Sequence, residues 1–257
     1  MKKILPFLWL WLLLPAFAFA QDSTQWPAGK AIGFKLSGTH SILRDDVIFP
    51  VNYYGYGGTL GGFYQRTSAK TYQELALDLH FSSMKDFLGF EAIYTYPDLR
   101  YAYTWRFTSD SNKSVRAFAG PMVEAQYNMY YFLQTDDSHL QWLTQYNIGA
   151  KGVFDIAVTP RKSARIYIDI PLLRLCSRPP REVYYSNFNP AFGKIMNMIH
   201  KDAQFNLGAG GFRLGAFYPL RETAKSVMHA GYEHFIINYN HTSIMSNALT
   251  IRYGFKK

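Results

Sequence analysis

The chain has 257 residues, 27 Lys+Arg against 18 Asp+Glu, and one cysteine. A single cysteine forms no intrachain disulfide, which excludes a cystine-stapled secreted module. Beyond the first twenty residues no apolar run reaches the ~18–20 residues a spanning helix needs, which excludes a helical membrane protein.

Residues 1–20 read as a signal peptide. Lys2 and Lys3 form a positive start, Ile4 to Phe17 an apolar stretch, and Ala18-Phe19-Ala20 the small-x-small cleavage pattern. Removing Lys2 and Lys3 with that segment lowers the net charge from +9 to +7 and leaves residues 21–257 as one domain. The remaining basic residues cluster in short turns and on no single helix face, so lipid phosphates fit them better than nucleic acid, and no nucleic-acid partner is expected.

Period-two alternation then runs to the end of the chain. It predicts ten strands at roughly 29–42, 51–67, 71–83, 91–108, 113–132, 138–158, 163–175, 203–218, 225–239 and 245–255. In the third, Leu75, Leu77, Leu79 and Phe81 oppose Glu74, Ala76, Asp78 and His80. The fourth sets Leu99, Tyr101, Tyr103, Trp105 and Phe107 against Arg100, Ala102, Thr104 and Arg106, with Pro97 interrupting it. Later strands oppose Ile148 and Phe154 to Asn147, Lys151 and Asp155, and Ile166 and Ile168 to Arg165 and Asp169. Charges recurring on one face argue against a soluble sandwich, whose shared face must be dry. A transmembrane barrel suits them, with lipid outside and a polar lumen inside, and 20 Tyr, 20 Phe and 5 Trp supply its aromatic girdles.

Connections at 67–70, 108–114, 159–162 and 221–225 are short and polar, whereas long ones are expected at 82–91 and 176–202. With the chain ends in the periplasm, this alternation places the long loops outside. In 176–202, Asn189-Pro190 reads as a helix start, and Phe192, Ile195, Met196 and Ile199 would share one face of a short helix. The glycines at 208, 210 and 211 lack the Lys-Ser/Thr of a phosphate loop and mark a bend.

As architecture, the chain resembles the bacterial outer-membrane β-barrels. The most specific element is the last strand, Ala248-Leu249-Thr250-Ile251-Arg252-Tyr253-Gly254-Phe255, similar to the aromatic-ending signal read by the barrel assembly machinery, although Lys256 and Lys257 follow Phe255. The resemblance implies an all-β, antiparallel transmembrane barrel of about ten strands (eight and twelve being the neighbouring counts) in the outer membrane. Outer-membrane lipid or lipopolysaccharide and the assembly machinery are its implied partners.

Candidate residues fall into three groups. Aligning strands three and four at Tyr72 and Thr108 sets Glu74 opposite Arg106 and His80 opposite Arg100, with Asp78 diagonal, and Asp155 meets Arg165 across 159–162. These pairs would fill and neutralise a narrow lumen. Arg178, Arg181, Tyr184 and Tyr185 make the long outer loop the expected surface for an extracellular ligand. His241-Thr242-Ser243 followed by Asn247-Ala248 is similar to the His-x-Ser, Asn-Ala pattern of lipid A deacylases, with Asn-Ala three residues late. A structural or binding barrel is therefore the leading reading, with a lipid hydrolase using His241 and Ser243, and then a narrow channel, behind it. No histidine pair has metal-ligand spacing, so no metal or cofactor is expected.

Overall fold

The computed structural model describes residues 29–46, 49–108, 114–133, 138–159, 162–178, 200, 203–208 and 210–257. The signal segment, the predicted helix of 190–200 except His200, and Arg181, Tyr184 and Tyr185 lie outside the described residues.

The strands are β1 (Gly29–Asp45), β2 (Phe49–Thr67), β3 (Thr71–Lys85), β4 (Glu91–Arg106), β5 (Val115–Leu133), β6 (Ser138–Thr159), β7 (Lys162–Ser177), β8 (Gln204–Leu207), β9 (Gly211–Glu222), β10 (Ser226–Tyr239) and β11 (Thr242–Lys256). Each pairs antiparallel with its neighbours, and β1 pairs with β11, so the sheet closes. β8 and β9 are two pieces of one stave, both paired to β7, so the closed barrel has ten staves. Closure removes every free sheet edge.

Side chains alternate in and out in the sense the sequence predicts, and the result is inverted relative to a water-soluble core. Leu36, Leu60, Leu79, Phe81 and Leu249 are more than half exposed, while Asp78, Asp98, Arg116 and Asp155 are buried. Apolar groups outside and charges inside match a barrel bathed in lipid.

Three local findings depart from expectation. The connection between β3 and β4 is a tight turn, Asp86 to Phe90, held by the Asp86 carboxylate accepting the Leu88 and Phe90 amides at 2.9 Å each. The long loop expected at 82–91 is therefore absent, and the turn sets the register: Glu74 faces Ala102, Arg100 faces Ala76 and His80 faces Tyr96. The predicted pairs Glu74–Arg106 and His80–Arg100 are thus displaced by four residues, because the hairpin turn, and not the opposite rim, fixes the alignment. Pro97 stays inside β4 where the ladder to β5 skips two residues, between Thr95↔Met129 and Asp98↔Gln126, and there its missing N–H matters least. At the far end from the chain termini, Asn240-His241 alone makes the β10–β11 turn, with Asn240 at φ 48, so Thr242 and Ser243 belong to β11 rather than to a loop.

Candidate functional site

The lumen is filled in three layers. Toward the termini lies a small aromatic cluster of Tyr72, Phe118, Val153, Tyr167 and Phe217. At the far end lies a larger one that includes Leu43, Tyr53, Met84, Tyr130, Phe132 and Leu143. Most of the charges sit between them, and Arg116, Asp155 and Arg165 lie two residues nearer the termini than Phe118, Val153 and Tyr167.

Eight of those charges form a closed ring of alternating sign. Lys35 Nζ lies 2.6 Å from Asp78, Asp78 lies 2.6 Å from Arg100, and Arg100 lies 3.5 Å from Asp169. Asp169 and Glu74 both meet Lys151 at 2.9 Å, and Glu74 meets Arg252 at 3.3 Å. Arg252 and Lys35 then share Glu233, at 3.6 and 3.2 Å, which closes the circuit. The ring draws on seven staves: β1, β3, β4, β6, β7, β10 and β11. Arg100 also reaches Asp98 at 3.1 Å, and Asp98 continues through Arg213 to Glu124 at 2.7 and 2.9 Å. A separate triad, Arg116–Asp155–Arg165, lies below, with N–O distances of 2.9 and 2.7 Å. Gln65 joins it to the ring by accepting from Arg165 and donating to Glu74, at 3.2 Å each.

Counted over ring, arc and triad, seven basic and seven acidic side chains meet, so this network carries no net charge. That balance is what lets charges leave water: each is paired, and the pairs are bridged by further hydrogen bonds. Local sequence makes room where it must. A Cβ at Gly61 would sit 2.1 Å from the Asp78 carboxylate, so only glycine leaves that side chain its place.

Of the sequence candidates, Glu74, Asp78 and Arg100 enter the ring, and Asp155 and Arg165 meet across their hairpin in the predicted register. His80 stands aside, bonded to Thr59 and Ser82 and stacked 4.6 Å from Tyr96. Arg106 lies at the termini end, its Nε donating to the Thr108 hydroxyl at 3.2 Å. Sequence reasoning missed Lys35, Asp98, Arg213 and Glu233 as network members. Lys151, Asp169 and Arg252 stood on the inward face by alternation, but their partners are up to 178 residues away in sequence, as in Glu74–Arg252.

The far end offers a different chemistry. Arg178 caps β7 and lies 2.5 Å from the buried Asp45, tying the start of the 178–203 connection to β1. Where that connection returns, His200 stacks 5.8 Å from Tyr146, hydrogen-bonds its hydroxyl, and sits edge-on to Tyr127. Tyr127 and Tyr146 share the outer wall of β5 and β6, so of the two described ends of the connection Arg178 sits at the inner rim and His200 against the outer surface. On β11, the Ser243 hydroxyl donates to Asn238 at 2.9 Å. His241 is exposed in the turn, and its carbonyl accepts the Asp46 amide at 2.9 Å. A serine hydrolase needs the histidine within hydrogen-bond reach of the serine; here the serine's partner is an amide. Asn247 instead accepts from Tyr232 and meets His234 at 2.8 Å, four residues further along the wall.

No family model and no curated protein matches this chain. Solved structures do. The outer membrane protease OmpT from Escherichia coli matches with a TM-score of 0.52 at 7% identity, over 91% of this chain and 99% of that one. The chain has the fold of a bacterial outer-membrane β-barrel. The translocator domain of the autotransporter NalP from Neisseria meningitidis matches at TM-score 0.45 and 9% identity, over 97% and 94%. The attachment invasion locus protein Ail of Yersinia pestis, solved with a heparin analogue, matches at 0.38 and 10%, over 89% and 100%. At such identities the likeness is one of fold, and the layered lumen is read from this chain's own residues.

Proposed function

We propose that this protein is a sealed outer-membrane barrel that works as a binding platform at its far, outward end. The observation that carries the reading is the lumen: two aromatic clusters and a neutral ion network fill it, and two cavities among the described residues measure about 20 and 10 Å³, room for one or two waters. Such an interior is a rigid support and offers no path. Function then falls to the 178–203 connection, anchored by Arg178 at one edge and by His200 at the other.

The cations Arg178 and Arg181, with Tyr184 and Tyr185, suit a phosphorylated, partly apolar partner, and lipopolysaccharide supplies both features. The test compares the full chain with a variant in which residues 179–199 are replaced by a short Gly-Ser linker. Both are expected to give a heat-modifiable band, because the described strands close the barrel by themselves. Only the full chain is expected to retain lipopolysaccharide on purification and to be cut by trypsin on intact cells. Equal retention by the two would contradict the loop's role, and trypsin resistance on intact cells would contradict its outward placement.

A further inference from the structure

The wall is unbroken around most of the barrel but interrupted on one side of β7. Arg165 to Asp169 pair with β9, Leu173 to Cys176 pair with β8, and Ile170 to Leu172 have no Cα partner there. Pro171 has no N–H to offer, and Gly208 bonds past the gap to the Leu172 carbonyl at 2.9 Å. The stave opposite spans 208–212, five residues, where β7 uses three, a two-residue bulge that includes Gly208 and Gly210. Arg174 fills the space this opens: a Cβ at Gly210 would sit 1.8 Å from its guanidinium.

Behind the interruption lies a cavity of about 20 Å³, lined from inside by Gln126, Gln145, Asn147 and Arg174 and from the wall by Phe212 and Ile236. Each of the four inner residues is at least nine-tenths buried, and each has one side-chain atom without a partner: Gln126 Nε2, Gln145 Nε2, Arg174 Nε and Asn147 Oδ1. Three donors and one acceptor without a partner thus belong to residues that line one space. Buried polar groups left unmatched cost roughly 1–3 kcal/mol each, so a site that gathers four is built for something to satisfy them. The carboxylates beside it are already engaged, Glu124 by Arg213 and Asn147, and Asp169 by Lys151.

We propose that this seam binds the carboxylate head of a single-chain amphiphile, with its tail outside along Phe212, Ile236 and Leu172. The excess of free donors calls for an acceptor ligand. The cavity has room for roughly two oxygen-sized groups, and the neighbouring Glu124 and Asp169 disfavour a dianion, so a monovalent carboxylate fits better than a phosphate. Asn147 Oδ1 reaches the same head through a bridging water. The tail's place is apolar and open: Leu172 and Phe212 are 51% and 37% exposed on the outer wall. The membrane reading enters only as the source of the amphiphile.

The experiment is 13C NMR of carboxyl-labelled dodecanoate with the purified full chain in maltoside micelles. The expected result is a second carboxyl resonance saturating at one equivalent per barrel, displaced by unlabelled dodecanoate and not by dodecanol. Replacing the amides together, Gln126→Leu with Gln145→Leu, weakens binding by about tenfold or more, since two hydrogen bonds to a charged group are lost. A single micelle-averaged resonance would mean that the cavity holds water only, and displacement by dodecanol or unchanged affinity in the double variant would equally overturn the proposal. Should that variant fail to fold, the dodecanoate-against-dodecanol comparison on the unmodified chain decides. None of these outcomes bears on the outward loop, whose own test uses lipopolysaccharide and intact cells.

Discussion

The ion ring and the far-end aromatic layer fill the same lumen by opposite means. The aromatic layer, with Tyr53, Phe132 and Leu143, is an ordinary apolar core, tolerant of exchange among groups of similar volume. In the ring each charge holds two or more of the opposite sign, so removing any member leaves its neighbours one partner short and the network unbalanced by one charge. One layer is specified by volume and the other by identity. The barrel middle is therefore the part least free to change, and the far end the part most free to acquire a binding role.

The largest expected effect comes from breaking the ring at its most connected member. Arg100→Ala takes one of two cationic partners from each of Asp78, Asp98 and Asp169, leaves one buried negative charge uncompensated, and should cost about 3–5 kcal/mol, read as a lower urea midpoint in detergent. Removing all partners at once should be milder: Asp155→Leu with Arg116→Met and Arg165→Met is expected to cost less than Asp155→Ala alone. A greater loss from the triple variant would erase the contrast between the layers. In the aromatic layer, Leu143→Ala should cost ~2–4 kcal/mol and should be recovered in part by Leu143→Met, which no ring substitution should match. On the outer wall, Leu77→Arg places a charge in lipid and should cost about 2–4 kcal/mol in bilayers. The smallest effect belongs to the exposed pair Lys85–Glu91 at the β3–β4 turn, where Glu91→Ala should change stability by less than ~0.5 kcal/mol.

Alternation made the inside and outside of nearly every strand legible, because a side-chain period of two is a local property of the chain. Leu75, Leu77 and Leu79 point outward and Arg165 and Asp169 inward as their neighbours in sequence require. Asp155–Arg165 was legible too, since a short turn sets its register. Contacts across the lumen were not. Arg213 meets Asp98 over 115 residues of separation, and that pairing depends on how far the staves shear as the sheet closes, which no single strand encodes. The β3–β4 register was misread because the Asp86 turn is tighter than its residues suggested. The glycines at 208 to 211 signalled a bend, but only the paired ladders reveal that the bend interrupts the wall and lets Arg174 in.

The central claim is that the lumen is sealed, and single-channel recording in a planar bilayer tests it most directly. Reconstituted protein with a verified heat-modifiable band should give a silent baseline across ±100 mV of applied potential, a span worth roughly 2.3 kcal/mol per charge in either direction. Openings of reproducible unit conductance, altered by Arg100→Ala, would show that ions pass through the ring and would contradict the account.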